Sequence, residues 1–109
     1  MTTNSISMYK NDTKTITCTV TSGGTAKDLT DYTMKMTLKV NKADIEYVLQ
    51  KTATISAPLT GVGIFDISST DSALTARTYY YDVEIYNSTT GDKKTVILDT
   101  FGILQDLTT

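Results

Sequence analysis

Asp82 and Glu84 are the pair of side chains whose types and spacing suit acid–base chemistry. On an extended strand residues two apart share a face, so the two carboxyls come within reach of each other, as paired acids do in glycoside hydrolysis. The rest of the catalytic repertoire is thin. The chain has no histidine, which removes the commonest general base and the commonest neutral metal ligand. A Ser/His/Asp or Cys/His nucleophile system cannot be assembled within it. The single cysteine, Cys18, falls on the apolar parity of its segment and reads as a small buried hydrophobe, not a reactive thiol. Tryptophan, the usual sugar platform, is absent. The segment Asp66-Ile67-Ser68-Ser69-Thr70-Asp71 offers oxygens at alternate positions but lacks the acidic spacing and glycine of a calcium loop. Thr90-Gly91-Asp92-Lys93-Lys94-Thr95 only faintly echoes a phosphate loop, with the wrong spacing and a hairpin context. No catalytic group, metal or cofactor is expected, and the chain reads as a non-enzyme.

The elements that must position these residues are strands. Tyr32, Met34, Met36, Leu38 and Val40 alternate with Thr33, Lys35, Thr37 and Lys39, giving one apolar and one basic-polar face. Tyr79, Tyr81, Val83 and Ile85 alternate with Tyr80, Asp82, Glu84 and Tyr86. Ile16, Cys18 and Val20 alternate with threonines, and Phe65 and Ile67 flank Asp66 after Gly61 and Gly63. Residues 45–50 read as a short strand or one helical turn, and residues 52–56 as a short strand stopped by Pro58. Residues 87–92 form a hairpin connection with Gly91 supplying positive φ. In the last strand, about residues 94–104, Val96 and Leu98 share one parity and Phe101 and Ile103 the other, which predicts a bulge near Asp99-Thr100. Tyr79, at the start of its strand, is placed to return a hydroxyl hydrogen bond to the preceding loop.

Composition agrees. Threonine is about a fifth of the 109 residues and seven tyrosines outnumber two phenylalanines, both suited to a pleated surface with one wet face. Short strands between frequent turns predict one all-β domain over residues 1–109, an immunoglobulin-like sandwich of about seven antiparallel strands. Its core spans about residues 13–104, and the polar segments 1–9 and 105–109 read as docking arms that the core does not need. A net charge of −2 argues against nucleic acid, and no apolar run approaches a membrane span. With no leader-like segment and one cysteine, the chain reads as made in a reducing cytoplasm.

Several segments resemble, in order, the N-terminal immunoglobulin-like domain of phage baseplate upper proteins. Asp28-Leu29-Thr30-Asp31-Tyr32-Thr33-Met34-Lys35-Met36 is similar to that family's D-L-T-G-x-T-V-x-apolar segment. Lys51 to Ile55, Gly61 to Ile67 with Thr70-Asp71, Tyr79 to Ile85 and Thr100-Phe101 continue it, so the likeness covers roughly residues 15–103. The chain departs from the family at Arg77-Thr78 and at Asp99, where glycine is usual. The resemblance implies a structural protein of a tailed-phage virion (baseplate, tail, neck or capsid decoration), made in the host cytoplasm. Its partners would be other virion proteins and further copies of itself.

In such a sandwich the Tyr79–Tyr86 strand lies antiparallel beside the Tyr32–Val40 strand. Lys35 and Lys39 then face Asp82 and Glu84 as a solvated charge ladder, flanked on the same face by Tyr80 and Tyr86. These six residues are the expected contact face. The alternative is an adhesin-type module that binds a host surface or carbohydrate, for which Tyr80 and Tyr86 are the only aromatic platform.

Overall fold

In the computed structural model, which describes residues 5–105, the alternating segments are strands of a two-layer β sandwich. In chain order these are β1 (Ile6–Tyr9), β2 (Lys14–Thr19), β3 (Thr21–Ser22), β4 (Thr25–Ala26), β5 (Tyr32–Lys39) and β6 (Leu49–Thr52). A single 3-10 turn (Pro58–Thr60) precedes β7 (Val62–Ile67), β8 (Arg77–Asn87) and β9 (Lys93–Leu104). One sheet has the order β1-β9-β8-β5-β6, the facing layer pairs β2 with β7, and β3 and β4 form a small hairpin. No helix among the described residues is long and apolar enough to cross a membrane.

Alternation makes the core. Met34, Met36 and Leu38 of β5, Tyr79, Tyr81, Val83 and Ile85 of β8, and Phe101 and Ile103 of β9 point inward onto Cys18, Phe65 and Ile67. Each fully buried aliphatic or aromatic side chain contributes about 1.5–3 kcal/mol over its exposed state. Tyr81 meets Phe101 edge to face at 6.0 Å. Gly63 of β7 lets the Met34 side chain pack closely: a Cβ there would lie 2.5 Å from the Met34 sulfur and would push that side-chain end aside.

Four expectations are corrected. The sandwich is not purely antiparallel, because β1 runs parallel to β9, with Ile6 opposite Phe101 and Met8 opposite Ile103. The segment expected to be a dispensable arm therefore supplies an edge strand and a buried side chain, Met8; the ends 1–4 and 106–109 of the expected arms lie outside the described residues. The bulge is not at Asp99-Thr100. The register shifts between Val83 and Glu84, opposite Val96, so Ile97, not Leu98, turns inward and Leu98 is 61% exposed. Finally, residues 45–48 are loop. The chain pairs with β5 only over Leu49–Thr52, then crosses layers: the Ala53 N–H donates to Met34 and the Thr54 N–H to Ile64.

The loops are tied by side chains. The Tyr79 hydroxyl donates to the Thr75 carbonyl at 2.7 Å, the hydrogen bond expected from its position. The buried Ser72 hydroxyl donates to the Asp12 carbonyl at 2.7 Å. Tyr32 donates to Asp92 at 2.7 Å, joining β5 to the β8–β9 hairpin. In the turn before β5 the Asp28 carboxylate accepts the backbone N–H and hydroxyl of Thr30, and Asp31 takes a left-handed φ of 65°.

Two outcomes follow for stability. Met8→Ala should cost about 2 kcal/mol or more while Ser7→Ala on the exposed side of β1 changes little, read as denaturant midpoints. Asp31→Gly should raise stability by about 0.5–1 kcal/mol, because glycine adopts positive φ without a Cβ penalty. Asp31→Val should lower it, and thermal melts of the two variants distinguish the signs.

Candidate functional site

The register of β5 on β8 builds the outer face. Lys35 stands opposite Glu84, Thr37 opposite Asp82, Lys39 opposite Tyr80 and Thr33 opposite Tyr86. The structure therefore brings all six expected contact residues onto one sheet surface, with the tyrosines at either end of the acidic pair. On the far sides, Gln50 of β6 is the neighbour of Thr37 and Leu98 of β9 the neighbour of Asp82.

The charges are distributed differently from a simple ladder. Glu84 approaches Lys93 of β9 at 3.8 Å, and among the described residues Lys35 is in no ion pair. The Lys39 ammonium donates to the Asp44 carbonyl at 2.7 Å, and the Asp44 carboxylate accepts the Asn41 N–H. Together these hydrogen bonds fold the loop between β5 and β6 back beside the sheet. Ile45 and Tyr47 then form one wall of a recess of about 250 Å³ whose floor includes Thr37, Asp82 and Glu84. Tyr80 is half-buried and the Lys42 ammonium sits 5.1 Å from its ring centre, so that ring is roofed and offers no open platform. Tyr86 is more open, beside a second recess with Thr33, Lys35 and Lys93.

Burial pushes the Asp82 carboxyl above its ordinary value, and repulsion from Glu84 adds to this against the opposing pull of Lys39 and Lys93. The calcium-like segment is occupied by its own hydrogen bonds. Asp71 accepts the Ser68 N–H and pairs with Lys51 at 2.8 Å, and Asp66 accepts from Thr15. For Asp71, burial alone would raise the pKa, but Lys51 and the Ser68 hydrogen bonds outweigh it and the net shift is downward. Among the described residues no group of three or more Cys, Asp or Glu side chains is arranged to hold a metal. Cys18 is buried, and burial raises its pKa. Residues 88–92 close the β8–β9 hairpin, with Asn87 accepting from the N–H groups of Thr89 and Thr90.

Sequence reasoning missed Ile45, Tyr47 and Leu98. Ile45 is 96% exposed and Tyr47 54%, yet their apolar run suggested a strand or helical turn. No protein-family profile matches the chain, and no curated protein matches it significantly.

The two aspartates should respond to pH with opposite sign. A raised native pKa means the fold is weakened as pH rises through it. Asp82→Asn should therefore be neutral or stabilising at pH 7, with the difference vanishing below the ordinary carboxylate value of 3.8. A lowered pKa gives stability that is lost as pH falls through it, so Asp71→Asn should cost about 1 kcal/mol at pH 7 and nothing in strong acid. Denaturation midpoints of both variants between pH 2 and 7 check the signs.

Proposed function

We propose that this protein is a structural component of a tailed-phage virion, in the baseplate, tail, neck or capsid decoration, and that its sandwich is immunoglobulin-like. It acts by protein–protein assembly and not by catalysis. The observation that carries the reading lies in the turn before β5. Asp31 has φ 65° at the position where the D-L-T-G segment of phage baseplate upper-protein domains has glycine, the residue that adopts positive φ most readily, and this agreement supports the reading. The topology supports it too. β5, β8 and β9 are neighbours in one sheet facing β2 and β7, the relation of strands C, F and G to B and E in immunoglobulin domains, and Tyr79 forms the corner hydrogen bond typical of them.

The surface chemistry suits assembly better than sugar binding. Tyr80 is roofed by Lys42, whereas Ile45, Tyr47, Leu98 and Tyr86 are open to solvent, and exposed apolar groups rimmed by charge are the composition of protein contacts. Immunogold labelling and peptide mass spectrometry of gradient-purified particles from the source should find the protein at one fixed location. Its absence from particles would overturn the reading.

A further inference from the structure

The outer face of the large sheet has a symmetry that selects its partner. It carries two adjacent rows of opposite charge: Lys35 and Lys39 on β5, Asp82 and Glu84 on β8. Beyond the basic row stands the apolar wall of Ile45 and Tyr47. Beyond the acidic row lies Leu98 of β9, 61% exposed, with Lys93 further along the same strand. Gln50, Thr37, Asp82 and Leu98 lie on one line across four strands, a span of about 14 Å at the usual strand spacing.

We infer that this face docks a second copy of the same chain, through a two-fold axis running along the strands between β5 and β8. That rotation turns one copy over and lays its β5 on its partner's β8. Each copy's Lys35 then meets Glu84 of the other, and each Ile45–Tyr47 wall closes over the other's Leu98. An axis across the strands would instead set lysine on lysine and carboxylate on carboxylate. A two-fold contact must be self-complementary, with residue i meeting j and j meeting i. These charges and apolar groups satisfy that condition together. A partner of a single sign would be repelled by one of the two rows. Docking also brings a lysine of the second copy to an acidic pair in which Asp82 resists ionisation beside Glu84.

The inference deepens the assembly reading by naming the partner as a copy of this chain. It is tested on purified protein without particles, so the two can fail separately. Sedimentation equilibrium from micromolar to millimolar concentration should give a dimer for the wild type, weakening as salt is raised. Lys35→Glu and Glu84→Lys should each raise the dimer Kd at least tenfold. When mixed, they should restore near-wild-type association, because each acid of one variant then meets a lysine of the other. Effects confined to one chain cannot produce that recovery. Leu98→Ser, which alters a side chain already in water, should fold normally and also weaken the dimer at least tenfold, and it serves if the charge variants do not fold. A wild type that stays monomeric at millimolar concentration, a mixture that does not associate, or an unchanged Kd for Leu98→Ser would overturn the inference.

Discussion

Eight consecutive residue pairs hold β5 to β8, from Tyr32 opposite Asn87 to Lys39 opposite Tyr80, and the rest of the molecule depends on that register. Side chains alternate strictly along both strands, so a slip of one residue in either would send its apolar set to water and its charges to the core. With the register set, Met34, Met36 and Leu38 join Tyr81, Val83 and Ile85 beneath the sheet, and Lys35, Thr37, Asp82 and Glu84 are ordered above it. Core and outer face are two sides of one constraint. The apolar side holds the pairing in place because misregister there is costly, and the polar side inherits a fixed geometry without needing strong bonds of its own.

This explains what could be read from the residues and what could not. β5 and β8 were legible because their alternation is unbroken over their length, and with them came the six residues of the outer face and the Tyr79 hydrogen bond. β9 misled because Val96, Ile97 and Leu98 are consecutive apolar residues: periodicity alone cannot say which one the bulge throws out of step. β1 was hidden by its polarity. Ile6 and Met8 alternate with Ser5, Ser7 and Tyr9, but the segment is a strand because β9 offers it an open edge, and nothing local announces that edge. The loop between β5 and β6 failed for the opposite reason. Ile45, Tyr47 and Val48 look like core residues, yet the Lys39 ammonium donating to the Asp44 carbonyl and the Asn41 N–H donating to the Asp44 carboxylate hold them in water. Apolar composition reports burial only where the backbone is free to deliver it.

The acidic and basic groups divide into those that brace and those that wait. Asp71 with Lys51 and Ser68, Asp92 with Tyr32, and Asp28 with Thr30 each close a loop by short hydrogen bonds. Asp82 differs from these three, since burial and repulsion from Glu84 work against its charge on the outer face. A group held at some disadvantage on a surface of fixed geometry is a common mark of a site shaped for something other than stability.

The parallel pairing of β1 with β9 also sets a temporal order for the chain. Ser5 and Thr100, whose hydroxyls meet at 3.1 Å, are 95 residues apart, so this contact closes nearly the longest loop the domain contains. During synthesis the first strand emerges long before its partner exists, and it must stay unpaired until the last strand has left the ribosome and settled on β8. Four residues, Ile6 to Tyr9, then wait for the β9 edge that pairs with them from Phe101 to Leu104.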